Sequence, residues 1–147
     1  MPDARRRRQH RADEIIAIES NVAATTAGAR AVEAAGQGHI RFVTAEATTA
    51  LDQLHSADVV VLNPPRAGAG ARVCASIARL RPEIVAYLSC NPETLARDLA
   101  AFIEPSVGLT IESIQPFDML PHTTHVETLV VLRRSVAGDV SGKFPPG

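Results

Sequence analysis

Asp58-Val-Val-Val-Leu-Asn-Pro-Pro65 is the stretch that decides the fold. Its apolar, mostly β-branched run reads as a strand. Two consecutive prolines cannot continue a central ladder, so the chain must leave the sheet at Asn63, and residues 66–70 form an exposed loop. The same alternation extends to both sides. Upstream, Glu14-Ile-Ile-Ala-Ile-Glu19 reads as a buried strand, and Asn21 caps a helix that runs to about Ala35, where Gly36 stops it. His39-Ile-Arg-Phe-Val43 is a second strand and residues 46–54 a short helix. Downstream come a helix over 71–80, a strand over 83–89, and a helix over 92–104. That last helix is capped by Asn91, opened by Pro92, and carries Leu95, Leu99, Phe102 and Ile103 on one face.

Short apolar runs alternating with helices predict a layered α/β domain with a mostly parallel sheet. Residues 109–115 and 126–132 are two further strands, joined by ten residues that leave no room for a crossover helix. They must therefore be antiparallel, and the last strand runs backwards. Its start then shares a rim with the carboxyl ends of the parallel strands, where α/β sheets bind ligands. Asn63, Cys90 and Glu127 are the polar residues that converge there.

The chain has 147 residues, 46% hydrophobic and 21% charged, enough for one domain with a real core over residues 14–134. Residues 1–13 and 135–147 read as tails outside it. Aromatic residues make up only 3% and Trp is absent, which speaks against a base-stacking platform. Fifteen basic residues against sixteen acidic ones give a net charge of -1, so no global positive field holds a polyanion. Any RNA contact has to be local. Two cysteines make no disulfide framework and fit a reducing, cytoplasmic compartment. The run Arg5-Arg-Arg-Arg8 is followed by polar residues instead of an apolar export segment, and no apolar run approaches the ~20 residues that a membrane helix needs.

Cys90 ends a strand and precedes a capped helix, so its sulfur faces the positive end of a helix dipole, a setting that favours the thiolate. A lone cysteine is ordinarily a small core residue, and Cys74, in mid-helix, is read that way. Glu127 heads an apolar strand, where a carboxylate is costly unless it faces a cleft; it reads either as a general base or as an exposed strand end. His122 and His125 lie i, i+3 in a loop without further ligands nearby, so no metal site is predicted.

Three segments carry a resemblance. Tyr87-Leu-Ser-Cys-Asn-Pro-Glu-Thr-Leu-Ala-Arg-Asp-Leu99 is similar to the nucleophile motif of the RNA (uracil-5-)-methyltransferases. Phe117-Asp-Met-Leu-Pro-His-Thr-Thr-His-Val-Glu127 is similar to their general-base motif, and Asn63-Pro-Pro-Arg-Ala-Gly68 to their Asp-Pro-Pro-Arg-x-Gly loop. Ile16-Ala-Ile-Glu19 and Phe42-Val-Thr-Ala-Glu46 resemble the family's weaker cofactor segments, so the likeness covers residues 14–134. It implies the class I methyltransferase fold, a three-layer Rossmann-like sandwich, and S-adenosyl-L-methionine as cofactor. It also implies methylation of uracil C5 in rRNA or tRNA. In that scheme Cys90 adds to C6 and so activates C5, and Glu127 removes the C5 proton. Glu19 would bind the cofactor ribose, Glu46 would lie beside the adenine, and Asn63 would stand between cofactor and base. Pro64, Arg66 and His125 would join Asn63 in holding the base, which must be unstacked to enter, so looped or single-stranded RNA is the expected substrate.

Two departures stand out. Asn63 replaces the family's Asp, which keeps hydrogen bonding and removes a charge. The family's first strand with its Gly-rich turn, and its N-terminal RNA-binding module, have no counterpart in residues 1–13. The sequence therefore predicts a partial catalytic domain whose exposed strand edges favour self-association or a partner chain. An inactive or partner-dependent remnant stays open as an alternative. So does an N-methyltransferase acting on an amino group, which Asn-Pro-Pro suggests although Arg66 is not the aromatic such enzymes use. A cysteine hydrolase pairing Cys90 with His122 or His125 is a further one.

Overall fold

A computed structural model describes residues 12–117 and 126–135. Its elements follow the order β1 (Ile15–Glu19), α1 (Val22–Ala34), β2 (Ile40–Thr44), α2 (Ala47–Leu51), β3 (Val59–Leu62), α3 (Gly70–Arg79), β4 (Ile84–Ser89), α4 (Pro92–Phe102), β5 (Leu109–Phe117) and β6 (Glu127–Arg134). The α/β class read from the alternation is the one observed. The caps are those the sequence dictates. Asn21 accepts from the Ala24 amide, and Asn91 accepts from the Glu93 amide with Pro92 in the first turn behind it.

The described strands form two sheets, and the chain divides into two compact units, residues 1–50 and 51–147. The reason lies in the ladders. In the first unit β1 and β2 pair in parallel, with Ile15 opposite Ile40 and Glu19 opposite Thr44, and α1 packs on them. In the second unit the strand order is β3-β4-β6-β5. There β3 and β4 are parallel, and β6 runs antiparallel to both β4 and β5, as the short 118–126 connection requires.

The second unit holds the larger core. Ile77, Leu80, Val85, Tyr87, Phe102 and Leu132 are each at most 2% exposed, and burial of one such side chain is worth about 1.5–3 kcal/mol. Along β4, Val85, Tyr87 and Ser89 are buried while the residues between them are half-buried, the period-2 mark of one face turned to the helices. Cys74 is buried on α3, as expected. Ile103 is not: it is 47% exposed, because α4 ends at Phe102 and the chain turns at Ile103 before that position reaches the core. The α2 helix is also shorter than the 46–54 reading; the Arg79 guanidinium donates to the Leu51 and Leu54 carbonyls, closing the helix and the turn after it.

Candidate active site

In the second unit, Asn63 follows the last residue of β3, Leu62, which pairs with Tyr87. Cys90 follows the last residue of β4, Ser89, which pairs with Thr128. Continued by one position, this antiparallel register sets Cys90 opposite Glu127, the first residue of β6. Asn63, Cys90 and Glu127 thus stand at one rim of one sheet; Asn63 is exposed, Cys90 and Glu127 half-buried. His122 and His125 lie outside the described residues.

The backbone at Cys90 is pinned on both sides. The buried Ser89 hydroxyl donates to the Asn91 carbonyl at 3.0 Å and accepts from the Asn91 amide at 3.1 Å, so it brackets the cysteine between them. Asn91 then does two things: its Oδ1 caps α4, and its Nδ2 donates to the Arg66 carbonyl at 3.2 Å. The Thr94 hydroxyl donates to that same carbonyl at 3.1 Å, and Arg97 Nη2 donates to the Ala67 carbonyl at 2.9 Å. The loop that leaves β3 is therefore held by the helix that begins beside Cys90.

Behind the loop lies Asp98, 1% exposed, on the same helical face as Leu95, Leu99 and Phe102. Burial pushes its carboxyl upward, but hydrogen bonds from Tyr87, Arg97, Gly70 and Ala69 outweigh burial and hold it below the usual aspartate value. The Tyr87 phenol is driven well above its ordinary range by burial and by its bond to that carboxylate. Burial, reinforced by the Asp98 charge, raises the Cys74 thiol to about 11, which keeps it protonated and inert at neutral pH. None of Tyr87, Ser89, Thr94, Arg97 and Asp98 was singled out from the sequence. One signal was there for Asp98: a charged residue at the i+3 position of the Leu95, Leu99, Phe102 stripe needs a reason to be buried.

In the first unit, Glu19 closes β1 and Glu46 follows β2 by two residues, so the two carboxylates sit at the same end of the parallel pair. The Ala45 amide donates to the Glu19 carbonyl at 3.2 Å and ties the two strand ends together. Glu19 Oε1 accepts from the Asn21 amide at 2.7 Å, which orients the carboxylate and leaves Oε2 available as an acceptor.

The fold is that of the class I methyltransferases. The family model of the tRNA (uracil-5-)-methyltransferases matches residues 16–135, and the chain belongs to that family. It is 41% identical over 129 residues to an uncharacterized RNA methyltransferase of Thermotoga maritima, covering 87% of this chain and 28% of that one. It is 39% identical over 118 residues to the 23S rRNA (uracil(747)-C(5))-methyltransferase RlmC of Shewanella halifaxensis, covering 78% and 30%. Among solved structures it is similar to the Pyrococcus abyssi tRNA (uracil-54, C5)-methyltransferase in complex with S-adenosyl-L-homocysteine. That similarity has a TM-score of 0.67 and 32% identity, over 81% of this chain and 28% of that one. NSun6 from Pyrococcus horikoshii, at TM-score 0.65 and 17% identity over 82% and 41% of the two chains, shares the fold. The chain spans about three-tenths of the length of the curated relatives it matches. Among the described residues no helix is long and apolar enough to cross a membrane.

Proposed function

We propose that this chain is catalytic sequence of an S-adenosyl-L-methionine-dependent RNA uracil-C5 methyltransferase, with Cys90 as nucleophile and Glu127 as base. The observation that supports the reading is the β4–β6 register, which ends at Ser89 opposite Thr128 and leaves Cys90 and Glu127 as the next residues on the two chains, at the rim where the Asn63 loop leaves β3. Uracil C5 is a poor nucleophile. Addition of the Cys90 thiolate to C6 pushes the ring electrons toward O4 and makes C5 enolate-like. S-adenosyl-L-methionine, when bound, would supply the electrophilic methyl group, the C5 electron pair forming the new C–C bond as the sulfonium–methyl bond breaks and S-adenosylhomocysteine leaves. Glu127 then takes the C5 proton, the C5–H electron pair re-forms the C5–C6 double bond, and the thiolate leaves.

The residues present suit the cofactor. Glu19, its carboxylate already oriented by Asn21, has an acceptor left for ribose hydroxyls, and Glu46 at the same strand end would lie beside the adenine. Asn63, Pro64, Arg66 and His125 would hold the base. An rRNA or tRNA substrate goes with a cytoplasmic location.

Incubation with S-adenosyl-L-methionine and 5-fluorouridine RNA tests this, because fluorine at C5 cannot leave as a proton does and the covalent complex accumulates. The wild-type chain should form a denaturation-resistant adduct and Cys90→Ala none. With ordinary uridine RNA, Glu127→Gln should stall as a methylated adduct. Loss of adduct in both variants overturns the assigned roles. Titration with S-adenosylhomocysteine should show micromolar binding that Glu19→Ala weakens; no binding by a folded chain leaves an inactive remnant as the reading. Val59 and Val61, 54% and 76% exposed on the edge strand β3, also favour self-association, which light scattering on the purified chain decides.

A further inference from the structure

We propose that Asp98 is a positioning residue: it fastens the 66–70 loop to α4 and so fixes where Asn63 stands relative to Cys90. The inference rests on the reading of Cys90 as nucleophile.

Asp98 Oδ2 accepts from the Tyr87 hydroxyl at 2.6 Å and from the Ala69 amide at 2.7 Å. The Gly70 amide lies 3.3 Å from both carboxylate oxygens. Oδ1 accepts from Arg97 Nε at 3.0 Å and Nη2 at 2.8 Å. One carboxylate thus joins three pieces of chain: β4 three residues before Cys90, α4 after it, and the loop that starts at Asn63. An ionised group buried to this degree is costly unless its acceptor sites are filled, and replacing such a group by apolar side chains is often neutral or stabilising. Core formation alone therefore does not call for aspartate at this position.

The bonds are aimed at the loop. Arg97 spans Asp98 and the Ala67 carbonyl with the same Nη2, and Asn91 and Thr94 take the Arg66 carbonyl. At Gly68, where φ is +80°, a Cβ would stand 2.6 Å from both Arg97 Nη2 and Asp98 Oδ2. The backbone lies flat against these two side chains, and only glycine fits. A loop held at its carbonyls and amides by the helix that begins two residues after Cys90 is tied to the segment that carries Cys90. Proximity of this kind governs the rate of a bound complex more than its formation.

The test compares Asp98→Asn in the full chain with Leu109→Ala, which empties part of the core from a residue 2% exposed and whose side chain cannot hydrogen-bond to the loop. Two readouts are taken: hydrogen exchange of the peptide covering 66–73, and the rate of adduct formation with 5-fluorouridine tRNA and 23S rRNA transcripts. Asp98→Asn should exchange at Ala69 and Gly70 at least tenfold faster. Its maximal adduct rate should fall at least tenfold, with the half-saturating RNA concentration unchanged within twofold. Leu109→Ala should show neither change at a temperature where it is folded. If Asp98→Asn does not fold, Tyr87→Phe, which removes one donor to Asp98 and one acceptor for the Ala69 amide and keeps the ring in the core, should show the same split at smaller size. An unchanged loop, or a freed loop with an unchanged maximal rate, overturns the proposal. If the wild-type chain forms no adduct, the reading of Cys90 fails, and the exchange data alone decide whether Asp98 holds the loop.

Discussion

The strand ends of the first unit and those of the second present their carboxylates, amide and thiol in the same way, yet they are built to different standards. No residue of β1 or β2 is fully buried, and in α1 only Thr25 is. Two strands and a covering helix hold Glu19 and Glu46, and a two-stranded ladder by itself is marginal in water. The loop beside Cys90 is held by a buried carboxylate, a buried phenol and three further side chains on a core that includes Phe102 and Tyr87 at 0% exposure. The contrast separates two demands. Acceptors for a small ligand need only a fixed carboxylate, as Asn21 gives Glu19. A nucleophile working against a neighbouring loop needs both held to a fraction of an ångström.

The sharpest way to break this comparison is in the core. Phe102→Ala should cost about 3–5 kcal/mol through lost burial and a cavity, read as a fall in the urea midpoint of the second unit's transition. A loss below about 1 kcal/mol would mean that its core is no tighter than the first unit's. Next in size is a pair of matched glycines. Gly68 and Gly36 have φ of +80° and +64°, but a Cβ at Gly68 meets Asp98 and Arg97 whereas one at Gly36 meets nothing within 4 Å. Gly36→Ala should cost about 1 kcal/mol from the left-handed backbone alone, and Gly68→Ala clearly more, with exchange protection lost over 66–73. Equal costs would show that the loop yields freely.

The smallest effect is acidic. Burial raises the Asp98 carboxyl and its four partners more than offset that, so the folded group ionises below the ordinary aspartate value. A carboxylate lowered in the fold stabilises it fully above the unfolded value, and that stabilisation disappears as pH falls through the folded one. The stability gap between wild type and Asp98→Asn should therefore be level from pH 7 to about 5 and narrow below about pH 4. Urea melts at several pH values check it; a gap unchanged at pH 3 would mean that shape, not charge, carries the network.

The sequence alone determined the element order, because short apolar runs alternate with helical patterns and several boundaries have their own chemistry: Asn21, Gly36, Pro64 with Pro65, Asn91 with Pro92. It also determined that β6 runs backwards, since ten residues cannot cross over a sheet, and hence that Asn63, Cys90 and Glu127 share a rim. Those are local or counting arguments, and local arguments survive folding. Tertiary structure decided the division into two units and the exposure of Ile103, which depend on which ladder or core each segment meets. It also decided the role of Asp98, whose partners at Ala69, Gly70 and Tyr87 lie 11 to 29 residues away. A buried carboxylate on an apolar helix face is visible in a sequence; what it is bonded to is not, because hydrogen bonds are set by position in space and not by spacing along the chain.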